Sequence, residues 1–231
     1  MSDIAENWRR VSERAAQAAE RVGRDRDAVR IIAVSKTQPI ERIREVIAAG
    51  ATDIGESYVQ EAAEKMPHIA AVRWHLIGHL QRNKAARAAA LFDLIHSVDS
   101  VALGKILSQC GVQRGRAVSV LIEVNIGAER SKSGIEPSRA RDLLSELGKC
   151  EGLSVDGLMA IPPAASSPEM VRPHFRALRE LRDQLRTIAP ANAPLRELSM
   201  GMTDDFEIAI EEGATLVRVG RAIFGERRVR G

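Results

Sequence analysis

Aromatic residues are scarce in this 231-residue sequence, in which Phe, Trp and Tyr together make up 3%. Base stacking on aromatic rings therefore has little to work with, which argues against nucleic-acid binding of that kind. The net charge of +3 would still permit attraction of phosphate. Basic residues gather only in Arg227, Arg228 and Arg230, a pattern typical of a solvated tail. We expect no nucleic-acid partner.

Cysteine is also rare, and long apolar runs are missing. Cys110 and Cys150 stand far apart without a Cys-x-x-Cys pair, so they indicate neither a disulfide framework nor a thiolate metal site. No segment approaches about 18 uninterrupted apolar residues, and residues 1–10 contain no apolar core of signal-peptide length. We expect a cytoplasmic protein that does not span a membrane.

Short apolar runs rich in β-forming residues alternate with longer helical stretches from Arg30 onward. The apolar runs predict strands at 31–35, 53–55, 73–77, 94–97, 118–125, 155–161, 196–199 and 216–219. Helical spacing predicts helices at 40–49, 58–65, 83–91, 101–109, 137–147, 168–188 and 204–212. The stretch 162–168 is predicted to be a long loop.

Eight strand and helix units without a Gly/Ser/Pro-rich linker favour a closed (β/α)8 TIM-type barrel of the α/β class over an open doubly wound sheet, because closure removes both edges. Residues 1–231 are then expected to form a single domain. An extra N-terminal helix is predicted, with Asp3 as its N-cap and Gly23 as its stop. Its apolar positions at helical spacing are Ile4, Trp8, Val11, Ala15, Ala18 and Val22.

Lys36 stands where the first predicted strand ends and a loop begins, the place at which parallel α/β proteins present their reactive groups. Partial desolvation at the rim of a packed sheet favours the neutral amine, which can attack a carbonyl carbon. Lys36 is therefore a candidate to carry an aldehyde cofactor. The alternative is that its ammonium group simply extends into water.

A small, hydroxyl-bearing turn follows the seventh predicted strand. Ser199, Gly201 and Thr203 precede a predicted helix, whose first backbone N–H groups favour an anion. The loops after strands seven and eight are also the usual phosphate site of such barrels. Alternatively, Ser199 and Thr203 are ordinary helix caps and Gly201 is a turn residue.

The eighth predicted strand ends in a comparable segment. Gly220 allows close approach of the backbone, and Arg218 or Arg221 offers positive charge. Closure of a barrel places strand eight beside strand one, so this segment and Lys36 would share one face. A molecule with an aldehyde at one end and a phosphate at the other fits that arrangement, as pyridoxal 5'-phosphate or a phosphorylated sugar does.

Seven segments of the chain form an ordered and specific pattern. They are 33–38 (AVSKTQ), 55–61 (GESYVQE), 74–84 (WHLIGHLQRNK), 132–135 (KSGI), 157–162 (GLMAIP), 198–202 (LSMGM), and 217–220 (VRVG) with 222–225 (AIFG). Together they resemble the YggS/PROSC family of pyridoxal-phosphate homeostasis proteins, related in fold to the N-terminal barrel of alanine racemase. The resemblance runs nearly end to end.

The resemblance implies a fold type III pyridoxal-phosphate barrel in which Lys36 forms the Schiff base. It also implies that Arg218 lies near the ring nitrogen or the phosphate. An arginine at the ring nitrogen would keep that atom unprotonated and suppress carbanion chemistry, which suits a carrier better than a catalyst. The cofactor-binding residues expected on this basis are Lys36, Ser57, His79, Ser199, Met200, Gly201, Thr203, Arg218 and Gly220.

Two positions depart from the family pattern. Ser57 stands where an asparagine is usual, and could still hydrogen-bond the ring hydroxyl or a water. Arg221 follows Gly220 where a smaller residue is common, and could contact phosphate or point outward.

Other polar residues have competing interpretations. His75 and His79 are four apart, but Gly78 interrupts helical geometry and no His-Glu-x-x-His motif is present, so a metal pair is not favoured. We expect His79 near the cofactor mouth and His75 as a hydrogen-bonded barrel residue. Lys132 is either a solvated loop residue or a transient acceptor of cofactor.

The resemblance implies a carrier or regulator of pyridoxal 5'-phosphate that acts in vitamin B6 and amino-acid homeostasis without strong catalysis. Pyridoxal-phosphate-dependent apoenzymes are the candidate recipients, and a monomer is expected. The main alternative is an amino-acid racemase, which needs a tyrosine from a separate C-terminal domain, whereas the single tyrosine, Tyr58, is expected to pack the first turn of a helix. A Schiff-base aldolase acting on sugar phosphates is the third, although its lysine typically rises from a middle strand.

Overall fold

Eight parallel strands close into a barrel in the computed structural model, which describes residues 4–129 and 132–226. Each strand pairs with the next in chain order, and the eighth pairs with the first. The strands are β1 (Arg30–Val34), β2 (Asp53–Glu56), β3 (Arg73–Leu76), β4 (Leu94–Val98), β5 (Val118–Glu123), β6 (Leu153–Met159), β7 (Glu197–Ser199) and β8 (Leu216–Val219). The predicted (β/α)8 fold is confirmed.

Helices surround the barrel and connect successive strands. They are α1 (Ile4–Glu20), α2 (Ile40–Ala48), α3 (Val59–Lys65), α4 (Ala85–Leu91), α5 (Val101–Gln113), α6 (Ala140–Leu147), α7 (Arg172–Arg186), α8 (Phe206–Glu211) and α9 (Arg221–Phe224). Short 3-10 turns occupy Met66–His68, Arg82–Lys84, Pro137–Arg139 and Pro168–Val171. Neither the turn at Met66–His68 nor α9 was predicted, because three or four residues are too few to show a periodic pattern.

The predicted ends of two strands are wrong. The apolar run predicted as 118–125 continues past the end of β5, and the strand predicted as 155–161 is displaced by two residues from β6. Val124 and Ala160 lie just beyond these strands and are 1% exposed. An apolar run therefore marks buried residues at these two places, and buried residues continue beyond the last residue of the strand.

The N-terminal helix α1 packs against α2, α8 and α9 on one side of the barrel. Asn7 donates from Nδ2 to the carbonyl of Ile223 at 3.0 Å, and Arg14 pairs with Glu207 at 2.6 Å. The helix ends before Val22, which is 44% exposed, so the prediction that Val22 belongs to its apolar face is wrong. Gly23, with φ of 70°, does form the turn that follows.

Some predictions concern residues that lie outside the described part of the chain. These are Asp3, Arg227, Arg228 and Arg230. Within the described ranges, no helix combines the length and the apolar character that crossing a membrane would require.

The interior of the barrel contains a small apolar cluster and a larger apolar layer lies outside it. The inner cluster consists of Ile32, Leu94, Leu121, Met159 and Leu216, each at most 6% exposed. The outer layer fills the space between strands and helices and includes the fully buried Phe175 and Phe206. Because the strands are covered on both faces, they read as nearly continuous apolar runs in the sequence.

Gly157 lies where β6 approaches the backbone of β7 closely. A Cβ at this position would lie 1.9 Å from the carbonyl oxygen of Glu197, which is backbone and cannot rotate away. We expect Gly157→Ala to lower the free energy of unfolding by about 3 kcal/mol, the upper end for an overpacked site. Urea denaturation monitored by circular dichroism measures the change.

Gly115→Ala is the matched control, because a Cβ there meets nothing within 4 Å. Its φ of 64° limits the expected loss to about 1 kcal/mol. Equal losses for the two variants would show that the contact between β6 and β7 is not the constraint.

Candidate functional site

Lys36 lies two residues beyond the end of β1, at the carboxyl-terminal face of the barrel, and is half-buried. The next residue, Thr37, has a φ of 65°, so the chain turns sharply after the lysine. Strand β1 pairs with both β2 and β8. A Cβ on Gly220 would lie 3.5 Å from the Cβ of Val34, which brings the end of β8 against the segment that carries Lys36.

A buried ion pair lies directly behind this segment. The ammonium group of Lys65 contacts Glu56 Oε1 at 2.7 Å and donates to the carbonyl oxygen of Ser35 at 2.8 Å. The hydroxyl of Ser35 donates to the same Glu56 oxygen at 2.6 Å. Burial raises the pKa of Glu56, although the hydrogen bonds from Lys65 and Ser35 oppose that shift.

Glu61 joins the pair to the other side of Lys36. Its Oε1 accepts from Lys65 at 2.7 Å and from the backbone N–H of Thr37 at 2.6 Å. Both neighbours of Lys36 are therefore held by one charged cluster. Sequence reasoning did not find this cluster, although the spacing of Glu61 and Lys65, four apart on a helix, was visible.

Arg218, in β8, is a second buried cation at this face of the barrel, with 4% of its surface exposed. Its guanidinium donates to Ser199 Oγ at 2.6 Å and to the carbonyl oxygen of Ala160 at 3.0 Å. Burial lowers the pKa of Arg218 to about 10, while Asp205 and Glu123 oppose the shift. The guanidinium therefore remains charged at neutral pH.

A chain of polar side chains leads from Ser199 into the barrel. Ser199 Oγ lies 2.9 Å from His96 Nδ1, and His96 Nε2 lies 3.0 Å from His75 Nδ1. His75 Nε2 in turn lies 2.8 Å from Asp53 Oδ1. The prediction that His75 is a hydrogen-bonded barrel residue is confirmed, whereas His96 and Asp53 were not singled out from the sequence.

Glu123 is a second buried acid at this end of the barrel. It is the last residue of β5 and is 7% exposed. No protein group within the described ranges hydrogen-bonds its Oε2. Burial and the nearby charge of Asp99 raise the pKa of Glu123 to about 7, against the pull of Arg218. Its charge therefore changes near neutral pH.

The turn after β7 is fastened to β8 and α9. Arg218 donates from its backbone N–H to the carbonyl of Gly201 at 3.0 Å, and the N–H of Ala222 reaches Thr203 Oγ1 at 3.4 Å. Gly201 has a φ of 90°, and a Cβ there would lie 2.5 Å from the Cβ of Ala209. Both the backbone conformation and the space thus require glycine.

The residues named as possible helix caps do not act as caps. The N-cap position of α8 is occupied by Asp205, whose Oδ1 accepts from the N–H of Met202 at 2.6 Å. Ser199 points into the barrel instead. Met200 is fully buried, and its N–H donates to the carbonyl of Leu216 at 3.1 Å.

Gly220 and Arg221 start the short helix α9. Gly220 is its N-cap, and a Cβ there would make only ordinary contacts. Arg221 points outward, where it pairs with Asp204 and lies 3.7 Å from Glu226. Of the two possibilities stated for Arg221, the structure shows the outward one.

The mouth of the site is the carboxyl-terminal end of the barrel, which the loops after the strands surround. A cavity of about 450 Å³ lies between the loops after β3 and β4, lined in part by His79, Arg82, Asp99 and Ser100, and neither Lys36 nor Arg218 is among its lining residues. His79 is in the loop after β3, with its Nδ1 3.9 Å from Asp99 Oδ2. His75 lies inside the barrel, so the two histidines do not converge.

The two residues that follow β2, Ser57 and Tyr58, differ in how exposed they are. Ser57 follows β2 and is half-buried. Tyr58 is 64% exposed at the N-cap of α3, so the prediction that it packs the first helical turn is wrong. The ring projects into solvent because Val59 occupies the buried position of that turn.

Lys132 is more constrained than a solvated loop residue would be. Its ammonium group donates to the carbonyl of Pro162 at 2.9 Å and to Glu129 Oε1 at 3.1 Å. It therefore joins the loop after β5 to the loop after β6, and it is only half-buried.

Comparison with known proteins places this geometry in a family. The family model described as the N-terminal domain of alanine racemase matches residues 1–228. A protein of Aquifex aeolicus named pyridoxal phosphate homeostasis protein is 43% identical over 228 residues, covering 98% of this chain and 99% of the relative.

Solved structures agree with this placement. An unknown protein from Bifidobacterium adolescentis is 40% identical with a TM-score of 0.90, over 96% of this chain and 94% of that one. PipY of Synechococcus elongatus PCC7942, solved with pyridoxal phosphate bound, is 36% identical with a TM-score of 0.81, over 93% of this chain and all of that one.

An alanine racemase of Clostridium difficile shares only the fold, at 13% identity and a TM-score of 0.72. The match covers 94% of this chain and 59% of the racemase. By contrast, the Aquifex aeolicus homeostasis protein is matched over 99% of its length and PipY over all of its chain. This chain belongs to the alanine racemase N-terminal domain family, within which it groups with the pyridoxal phosphate homeostasis proteins.

Proposed function

We propose that this protein binds pyridoxal 5'-phosphate as an imine of Lys36 and acts as a carrier or regulator of the cell's pyridoxal phosphate, in vitamin B6 and amino-acid homeostasis. The observation that carries the proposal is the position of Lys36 beside the end of β8, where Arg218 is buried. The names of full-length relatives, and the cofactor in PipY, support the same reading. Pyridoxal-phosphate-dependent apoenzymes are the proposed recipients, and the protein is proposed to act as a monomer.

The residues of the pocket fit the chemistry of this cofactor. An imine needs a primary amine at the mouth, which Lys36 provides. A phosphate or ring nitrogen needs hydrogen-bond donors, and Arg218 has five N–H groups, of which the bonds to Ser199 and Ala160 use two. When bound, the cofactor would supply an aldehyde carbon and an electron-withdrawing ring.

The remaining contacts follow from where the loops lie. We assign the phosphate to the turns after β7 and β8, and the ring edge to the mouth. The residues assigned to the phosphate are Ser199, Met200, Gly201, Thr203 and Gly220, and those assigned to the mouth are Ser57 and His79. Ser199 would act there through Arg218, because its hydroxyl is already bonded to His96 and Arg218.

A carrier fits the pocket better than a racemase does. Racemization by two bases requires an acid or base on each face of the ring, and the sequence has one tyrosine, Tyr58, which is 64% exposed beside the mouth. Arg218 at the ring nitrogen would also weaken the ring as an electron sink. Racemase activity therefore remains the second candidate, motivated by the shared barrel alone.

We expect the covalent cofactor to map to Lys36. Borohydride reduces the imine to a stable secondary amine, so wild-type protein loaded with pyridoxal 5'-phosphate should carry one adduct on the tryptic peptide that contains Lys36. Lys36→Arg keeps the charge but cannot form an imine, and we expect it to lose that adduct and the visible absorbance band. Mass spectrometry of the digest makes the measurement.

Lys132→Arg serves as the control, because Lys132 is also half-buried near the mouth. It should retain the adduct at Lys36. Finding the wild-type adduct on another lysine, with none on Lys36, would contradict the proposal.

We expect little or no exchange of the Cα proton when the loaded protein is incubated with amino acids in deuterated water. The pocket offers Lys36 on one side and no buried tyrosine on the other, so removal of the proton has poor assistance. Proton NMR of a broad panel of L- and D-amino acids measures the exchange. Rapid exchange with any of them would favour the racemase.

Glu123 should make the stability of the protein depend on pH. Its pKa is raised from 4.5 to about 7 in the folded state, so folding retains a proton that the unfolded chain releases between these values. The contribution to stability is fully present below about pH 4.5 and is lost as the pH rises through 7. We expect the free energy of unfolding of Glu123→Gln, relative to that of wild type, to increase by on the order of 2–3 kcal/mol from pH 5 to pH 8.

Urea titrations at the two pH values measure this difference. Glu151→Gln, at an exposed position, provides the control and should follow wild type at both. A pH-independent difference between Glu123→Gln and wild type would show that Glu123 ionizes normally.

A further inference from the structure

Five polar side chains cross the barrel in one continuous hydrogen-bonded path. They come from β2, β3, β4, β7 and β8, and none is more than 4% exposed. The links are 2.8, 3.0, 2.9 and 2.6 Å long. In order, the residues are Asp53, His75, His96, Ser199 and Arg218, and we call this path the barrel chain.

We propose that Asp53, His75 and His96 are positioning residues for Arg218, because the barrel chain makes Ser199 an acceptor for the guanidinium and so fixes the direction in which Arg218 faces the pocket. The proposal rests on the proposed function for the identity of the ligand, pyridoxal 5'-phosphate. The arrangement of protons within the chain can be tested without it.

The two ends of the barrel chain define its direction. Arg218 carries only donors, and an ionized carboxylate carries only acceptors. Burial by itself raises the pKa of Asp53, but hydrogen bonds from His75 and Thr52 and the charge of Arg73 bring it down to about 2. Arg73 Nε lies 3.2 Å and Arg30 Nη1 3.7 Å from Asp53 Oδ1, so Asp53 is ionized at neutral pH.

The middle of the chain then allows one arrangement of protons with neutral histidines. Burial, together with the nearby positive charges of Arg218 and Arg30, lowers the pKa of His96 well below its ordinary value. A neutral imidazole has one donor and one acceptor. Asp53 requires a proton on His75 Nε2, so His75 Nδ1 accepts from His96 Nε2, and His96 Nδ1 accepts from the hydroxyl of Ser199.

The hydroxyl proton of Ser199 is thereby donated to His96, and the oxygen accepts from Arg218. Reversing the chain would place a proton on His96 Nδ1, and His75 would then face Asp53 either as a cation or with no proton between them. The acceptors bonded to Arg218, Ser199 Oγ and the carbonyl of Ala160, are both uncharged. Glu123 and Asp205 act on Arg218 through space alone, so the chain orients the guanidinium without neutralizing it.

The first test is the protonation pattern of the cofactor-free protein. Two-dimensional 15N NMR of the imidazole rings should show His96 as a neutral Nε2–H tautomer at pH 7. A His96 ring with its proton on Nδ1 would overturn the proposal. Because no cofactor is present, this result stands apart from the fate of the proposed function.

The second test interrupts the chain at its centre. His96→Leu removes both polar atoms, and we expect roughly tenfold weaker binding of pyridoxal 5'-phosphate and a displaced visible band, as expected for the loss of an orienting bond to a charged group. His96→Gln retains one acceptor and one donor on the same amide group. It should therefore recover most of the affinity and the wild-type band. Fluorescence titration and absorbance spectra measure both.

Leu121→Ala is the matched control, since Leu121 is fully buried in the same barrel interior but belongs to the apolar cluster. It should lower thermal stability while leaving cofactor affinity and the band unchanged. Equal loss of affinity in His96→Leu and Leu121→Ala, or no recovery in His96→Gln, would reduce the barrel chain to a purely structural role and overturn the proposal. If wild-type protein does not bind pyridoxal 5'-phosphate, the proposed function is wrong. The NMR result alone then decides whether the protons of the barrel chain are arranged as proposed.

Discussion

The pairing of β1 with β8 is the constraint on which the rest of this site depends. Its register sets Ile32 against Arg218 and Ala33 against Val219. Lys36 and Arg218 are 182 positions apart in the chain, and only this ladder makes their strands neighbours. Without closure, the amine and the guanidinium would stand on opposite edges of an open sheet, and no ligand of cofactor size could contact both.

The barrel interior combines two kinds of packing that are usually separated. Five apolar residues occupy part of it, and the barrel chain adds polar groups that are each hydrogen-bonded. Buried polar groups cost stability unless they are satisfied, and a fully satisfied network favours one arrangement of its members. The interior therefore supplies orientation as well as stability.

A few buried polar atoms in the described part of the chain lack a hydrogen-bond partner. In the described ranges, the buried side-chain atoms without a hydrogen-bond partner are Glu56 Oε2, Glu123 Oε2 and Asn192 Oδ1. The two acids are the last residues of β2 and β5, at the same end of the barrel as Lys36. Unsatisfied polar atoms tend to occur where a protein has a function to perform, and here the two acids lie at the face to which we assign the cofactor.

The fold and the position of Lys36 could be predicted because strands buried on both faces leave a local signature. Each of the eight strands appeared as a short apolar run, and Lys36 stood directly after the first of these runs. The ends of β5 and β6 were misplaced, since loops bury apolar residues as effectively as strands do. Tyr58 was misplaced because it is the exposed N-cap of α3, while the next residue, Val59, takes the buried position.

The sequence by itself determined the order of strands and helices, the lysine at the end of β1, and the glycine-containing turns, because each depends on residues within a few positions of one another. Only the tertiary structure decided which side chains meet. Lys65 reaches Ser35 across 30 positions, and His96 reaches Ser199 across 103. Such contacts depend on the register of a closed barrel, a property of all eight strands together that no local pattern encodes.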